Sequence, residues 1–280
     1  MKKNGKLIKN FILFILLIII TFAVLLKGED ITQILNILGS VKIQYVLIGI
    51  LCMAIYISCE AVNIGRSLKT LNEKSTFIQN LKYALIGFFF SAITPAASGG
   101  QPMQIYYMHK DKISVSNSTL ALLLNLTSMQ IITIGFALVS LCFNYQYLNG
   151  FLIVFFIVGI LLNLSALVLL LIAIISKRLS RGMVHFAEKV LKFFRVKNID
   201  AKKEKLENEL EQYHESAVYI KQNKKIMIKI LLTTLVQFFA YYSVTFWTYK
   251  ALGMNEANIL EITSMQSVLF ATVSGIPSPG

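Results

Sequence analysis

Long apolar runs alternate with short polar stretches along the whole chain of 280 residues. The runs cover residues 7–26, 43–64, 115–143, 151–176 and 226–249. Each offers about 20 residues or more, which at ~1.5 Å rise per residue is enough to cross ~30 Å of hydrocarbon. The pattern predicts five transmembrane helices in an all-α polytopic membrane protein.

Composition supports a membrane protein, because 56% of the residues are hydrophobic and only 15% are charged. The net charge of +13 could indicate a nucleic-acid partner, but basic residues also gather in cytoplasmic loops and face anionic lipid. We therefore favour the membrane interpretation. The three histidines lie in no metal-binding spacing, and no metal or other cofactor is expected.

Two stretches rich in Pro and Gly interrupt apolar segments. Residues 81–108 contain TPAASGGQP, and residues 259–280 end in SGIPSPG. Proline removes a backbone donor and clashes with the preceding turn, so neither segment can continue as a regular helix. The first segment either crosses the membrane once as a broken helix or enters and returns on the same side.

Charge favours re-entry of the first segment. With the N-terminus in the cytoplasm, a re-entrant segment leaves nearly all of the 27 basic residues on the cytoplasmic side, as the positive-inside rule requires. The second broken segment then enters from outside. Two broken segments of opposite direction, each following a span, predict an inverted repeat with a cavity at the breaks.

The domain organisation follows from these segments. Residues 1–176 form a first membrane half, residues 177–225 a basic cytoplasmic helical loop, and residues 226–280 the start of a second half. Within the loop, residues 183–196 predict an interfacial amphipathic helix. Residues 200–225 predict a helix whose apolar face packs on the membrane domain or a neighbour. That face comprises Leu206, Leu210, Tyr213, Ala217 and Ile220.

Candidate functional residues are those at the two breaks and the polar residues inside spans. At the breaks, glycines let the backbone approach a ligand, and the freed N–H groups can hold a phosphate. An intramembrane carboxylate such as Glu60 is a functional candidate by its position. Glu60 could instead snorkel or pair with Arg66. Polar residues within a span can line a path or join helices. The candidates at the first break are Thr94, Pro95, Ser98, Gly99, Gly100, Gln101 and Pro102. Those within spans are Glu60, Arg66, Asn125, Ser128, Gln237 and Tyr241, and those at the second break are Pro277, Ser278, Pro279 and Gly280.

The stretch ITPAASGGQPMQIYYMHKDKIS and the later GIPSPG resemble the lysylphosphatidylglycerol synthase transmembrane (flippase-like) family. In larger members of that family, a soluble domain transfers lysine from lysyl-tRNA to phosphatidylglycerol. The flippase domain moves the product to the outer leaflet and so blunts cationic antimicrobial peptides. The resemblance implies a lipid flippase-like protein of the bacterial inner membrane that translocates (lysyl-)phosphatidylglycerol, acting with a separate synthase or as a homo-oligomer.

Two departures from the family pattern limit what carries over. Nothing in the chain resembles the aminoacyltransferase domain, so no catalytic residue is predicted. Two alternative functions remain. One is phosphatidylglycerol lysyltransferase, which would take lysyl-tRNA as a nucleic-acid partner. The other is a small-solute secondary transporter. Relatives continue past the second proline motif, which implies C-terminal truncation at Gly280. Many relatives carry Glu where this chain has Gln101, so a carboxylate role does not transfer there.

Overall fold

The structure, a computed structural model, describes residues 31–94, 97–144, 150–175, 211, 213, 216–218 and 223–273. The described residues form helices and no strand, which confirms the all-α class. The helices are α1 (Ile31–Gly39), α2 (Ile43–Thr70), α3 (Phe77–Ala92), α4 (Gly100–Lys110), α5 (Val115–Asn144), α6 (Gly150–Ile175), α7 (Lys224–Ala251) and α8 (Ile259–Val273).

Four of these helices, α2, α5, α6 and α7, are long and apolar enough to cross a membrane. They run through four of the five predicted spans, and the fifth, residues 7–26, lies outside the described residues. The chain is therefore a multi-pass membrane protein. Helix α8 is apolar but shorter than the four candidate spans.

Helices α2 and α7 lie antiparallel along their full length. At one end, the backbone N–H of Lys42 donates to the carbonyl oxygen of Ala251 at 2.9 Å. At the other end, Arg66 donates to the carbonyl oxygen of Lys229 at 2.7 Å. We call the end that carries Arg66 and Lys229 the basic end of the bundle.

Helices α3 and α4 form a hairpin that starts and finishes at the basic end. A capping box between Thr76 and Gln79 begins α3. The Tyr83 hydroxyl near its start donates to Asp111 just past the end of α4 at 2.7 Å, and Lys82 forms an ion pair with the same carboxylate. This is the geometry that a re-entrant segment needs, and the side to which the hairpin opens stays a prediction.

Helix α8 starts at the opposite end of the bundle, a few residues after α7 ends. The Ser267 hydroxyl of α8 donates to the Ser140 hydroxyl of α5 at 2.7 Å. Its last turn reaches the middle of α6, where Asn163 donates to the carbonyl oxygen of Ala271 at 2.9 Å. The two interrupted segments thus start from opposite ends, whereas their relation by an inverted repeat stays a prediction.

The described part of the loop helix packs against the membrane helices. Tyr213 and Ala217 are buried in the main apolar core together with Leu71 and Leu120. The Tyr213 hydroxyl donates to the carbonyl oxygen of Ala173 at 2.8 Å. The predicted amphipathic helix 183–196 lies outside the described residues, as do Leu206, Leu210 and Ile220.

Candidate functional site: a polar cavity behind the helical hairpin

A cavity of about 100 Å³ lies between the hairpin and the spans α2 and α5. Polar side chains from all four of these helices line it. They are Tyr56 and Glu60 of α2, Ser91 of α3, Gln101 and Gln104 of α4, and Asn125 of α5. The cavity therefore joins three of the predicted site residues, Glu60, Gln101 and Asn125, that are far apart in sequence.

Glu60 is the only carboxylate in the lining of this cavity. The residue is 8% exposed, and its Oε2 atom has no hydrogen-bond partner among the described residues. A buried carboxyl oxygen without a donor from the protein is costly, because its lost hydration has to be replaced. Glu60 is thus a residue of the cavity for which packing alone gives no explanation.

The amides of Gln104 and Gln237 face the Glu60 carboxyl group. Gln104 is anchored, because its Nε2 donates to the carbonyl oxygen of Tyr83 at 3.1 Å. Gln237, on α7, is fully buried, and neither of its amide atoms has a hydrogen-bond partner among the described residues. The predicted residue Gln237 therefore extends the polar site from the cavity to α7.

Arg66 does not pair with Glu60, which removes one of the two simple explanations for that carboxylate. Its guanidinium donates to the Lys229 carbonyl oxygen and to the Thr233 hydroxyl, each at 2.7 Å, and to Asn63 at 3.3 Å. Arg66 therefore links α2 to α7 by hydrogen bonds and does not line the cavity.

Two other predicted residues, Ser128 and Tyr241, lie where helices join. The Ser128 hydroxyl lies 3.0 Å from that of Thr234 and donates to the carbonyl oxygen of Asn125, so it links α5 to α7. The Tyr241 ring packs on the cavity residue Tyr56 with centroids 5.0 Å apart. Tyr241 therefore supports the wall of the site.

The glycines of the first break approach helix α3. An added Cβ at Gly100 would lie 2.9 Å from the carbonyl oxygen of Gly87, and one at Gly99 would lie 3.2 Å from that of Phe90. Both glycines are required for close packing of the hairpin. The idea that they bring the backbone close to a ligand gains no support from these contacts.

The N-terminus of α4 is already partly capped. The Gly99 N–H donates to Thr94 Oγ1 at 2.9 Å, and the same hydroxyl donates to the carbonyl oxygen of Phe90 at 2.6 Å. Pro102 lies in the first helical turn, where a missing N–H is tolerated. Pro102 and Ser98 are exposed, and of the first-break residues that the structure describes, only Gln101 lines the cavity.

Several candidates lie outside the described residues. They are Pro95 in the first break and Pro277, Ser278, Pro279 and Gly280 in the second. Their roles stay predictions.

The structure adds polar residues that the sequence analysis did not select. Gln104 follows Gln101 at i+3, so the two share a helix face, and this spacing was an available signal. Near the end of α8, Gln130 of α5 donates to the carbonyl oxygen of Asn163 at 3.0 Å. Asn163 is a polar residue in the most apolar span, which was also a usable signal.

This arrangement places an acid, three amides and a tyrosine around one cavity between membrane-spanning helices. Such groups can hydrogen-bond a polar or cationic ligand where hydrocarbon cannot. The lining residues of the cavity include no Lys, Arg or His. The site is therefore better suited to a cationic group than to an isolated anion.

Comparison with known proteins identifies the family. The family described as "Lysylphosphatidylglycerol synthase TM region" matches residues 11–280. No curated protein and no solved structure matches the chain significantly. The family match covers nearly the whole chain, including all four candidate spans and both interrupted segments. The chain therefore belongs to the lysylphosphatidylglycerol synthase transmembrane family.

Proposed function

We propose that the chain is a lipid flippase-like protein of the bacterial inner membrane. It passes the headgroup of phosphatidylglycerol, preferentially in its lysylated form, through the space between the hairpin and spans α2, α5 and α7. The observation that carries this proposal is the polar cavity that holds the buried Glu60 carboxyl group. The expected consequence for the cell is resistance to cationic antimicrobial peptides.

The position of the cavity supports a lipid substrate. It lies between candidate spans whose outer surfaces remain apolar, so that acyl tails can stay in the bilayer while a headgroup meets polar side chains.

Charge supports an orientation with the basic end in the cytoplasm. Arg66, Lys82 and Lys229 lie at that end, as do the ends of the hairpin. The positive-inside rule then places the N-terminus and the loop 177–225 in the cytoplasm as well. In this orientation the hairpin enters from the cytoplasm and α8 enters from outside.

A reconstitution experiment tests the function. The chain is placed in liposomes of phosphatidylglycerol with lysyl-phosphatidylglycerol, and a membrane-impermeant amine reagent labels the exposed lysyl groups. We expect labelling to extend to inner-leaflet lipid when the wild-type chain is present and to be slowed by Gln104→Leu, which removes a polar group from the cavity. The exposed Glu256→Gln is the matched control.

Two outcomes would oppose the proposal. Labelling that stays confined to the outer leaflet with a folded chain would exclude lipid translocation. Formation of lysyl-phosphatidylglycerol from lysyl-tRNA and phosphatidylglycerol by the purified chain would instead favour the lysyltransferase alternative.

A further inference from the structure

The unpaired carboxyl group of Glu60 requires either a proton or a cation. An ionised carboxylate loses several kcal/mol of hydration on burial unless a positive charge compensates it. Glu60 is 8% exposed on a helix that can span the membrane. Its stable forms are therefore the neutral acid and the carboxylate that holds a cationic ligand.

Among the described residues, no positively charged side chain compensates the Glu60 carboxylate. On its own helix, Tyr56 lines the same cavity, and Arg66 binds the Lys229 carbonyl oxygen and Thr233 of α7. The hairpin brings Lys82, His109 and Lys110 to the basic end beside Asp111.

From the remaining neighbours, only neutral groups reach the site. Helix α7 contributes Gln237, and its Tyr241 ring packs on Tyr56 and on Tyr242. Helix α5 contributes Asn125 and apolar side chains. Because no described side chain supplies the compensating cation, we look for it in a ligand.

The surrounding acceptors match a primary ammonium group. Glu60 Oε2, Asn125 Oδ1 and Gln237 Oε1 are buried oxygens without a hydrogen-bond partner among the described residues. A primary ammonium carries three N–H donors and no acceptor. Tyr56 and Phe88, which also line the cavity, offer aromatic faces that favour cations.

We propose that Glu60 binds either a proton or the primary ammonium of a lysylated headgroup, but never both at once. Each headgroup that binds therefore releases one proton, and each headgroup that leaves allows one proton to return. The inference rests on the proposed lipid function. As the ammonium arrives, the O–H bond of the neutral acid breaks, its proton leaves to water, and the carboxylate forms an ion pair with the ligand. When the headgroup leaves, the carboxylate takes up a proton again, so no other reactant is needed.

The test measures protons and lipid binding separately. Lysyl-phosphatidylglycerol in detergent micelles is added to the purified full chain in weakly buffered solution with a pH indicator, and bound lipid is quantified in parallel. For the wild type we expect proton release on binding and an affinity that falls about tenfold for each unit of acidification while Glu60 is protonated. The lipid's own amines release or take up the same number of protons with every variant. Subtracting the signal of one variant from that of another therefore removes their contribution.

Three variants make the result specific to Glu60. Glu60→Gln, which keeps the shape of the side chain, is expected to bind more weakly and to release no proton. Glu60→Asp restores a carboxylate and should restore release, so it also serves if the Gln variant is unstable. The exposed Glu256→Gln should match the wild type.

The outcomes separate the two proposals. Lipid binding by the wild type without proton release, or equal release from Glu60→Gln, would overturn the exchange while leaving lipid translocation intact. If the folded wild type does not bind lysyl-phosphatidylglycerol at any pH, both proposals fail. In liposomes, exchange further predicts that an imposed pH gradient changes the translocation rate of the wild type but not that of Glu60→Gln.

Discussion

The side-chain amide of Asn163 donates a hydrogen bond to the carbonyl oxygen of Ala271 at 2.9 Å. It thereby gives a carbonyl of α8 a donor from a neighbouring spanning helix. Gly159, one helical turn earlier on α6, lets the same backbone approach closely. An amide and a glycine of α6 thus meet the same stretch of α8 in the middle of the bundle.

Replacing Gly159 with Ala is expected to destabilise the protein. The new Cβ would lie 2.6 Å from the Ala271 carbonyl oxygen and 2.7 Å from Thr272 Cα, and backbone atoms cannot move aside cheaply. Overpacking of this kind costs about 1–3 kcal/mol. The measurement is the free energy of unfolding in detergent micelles.

Gly135→Ala is the matched control for that variant. Gly135 also lies within a spanning helix, but nothing lies within 4 Å of its added Cβ. The change should be neutral or stabilise the helix by about 0.5–1 kcal/mol. Equal effects of the two substitutions would contradict the close contact between α6 and α8.

Removing the hydroxyl of Thr94 is expected to loosen the start of α4. Thr94→Val leaves the Gly99 N–H without the acceptor that now lies at 2.9 Å, and loss of one such hydrogen bond costs about 1 kcal/mol. Amide hydrogen exchange at Gly99 should become faster. Thr94→Ser keeps the acceptor and should restore slow exchange, and failure to do so would argue against the cap.

The Asp111 carboxylate is expected to stabilise the hairpin in a pH-dependent way. Its hydrogen bonds from Lys82 and then Tyr83 lower the pKa of Asp111 below the ordinary value. Because the folded pKa is the lower one, this stability is full above the ordinary value of about 3.9 and is lost as the pH falls through the lowered pKa.

Unfolding of the wild type and of Asp111→Asn at several pH values measures that contribution. The two proteins should differ near neutral pH and converge in acid. Glu256→Gln, which removes a carboxylate in no ion pair of the described residues, should show no such dependence. A difference that persists unchanged into acid would mean that the Asp111 charge is not responsible.

Cysteine labelling tests the re-entrant arrangement. In a variant that lacks the native Cys52, Cys59 and Cys142, single cysteines replace Asn72, Lys112 or Glu256. Asn72 precedes the hairpin and Lys112 follows it, so an impermeant thiol reagent should reach both from the same side. Glu256 lies at the opposite end and should react from the other side. Reaction of positions 72 and 112 from opposite sides would show that the segment crosses once.

Much of the architecture follows from hydrophobic periodicity and charge. Apolar runs of spanning length define α2, α5, α6 and α7, since hydrocarbon admits only helices whose backbone groups are satisfied internally. Proline and glycine likewise predict the interruption between α3 and α4. The role of the glycines was not predictable, because close packing on Gly87 and Phe90 requires knowledge of which helix lies beside them.

The sequence by itself determined that this chain is an all-helical membrane protein, since composition and spacing alone require it, and it marked Glu60 as a candidate whose position stayed open. Only the tertiary structure decided which polar residues share a cavity. Arg66 and Glu60 lie six residues apart, yet Arg66 binds α7 while Glu60 faces Gln104 and Gln237. Packing between helices fixes such partners, and one sequence pattern along a helix is compatible with many of them.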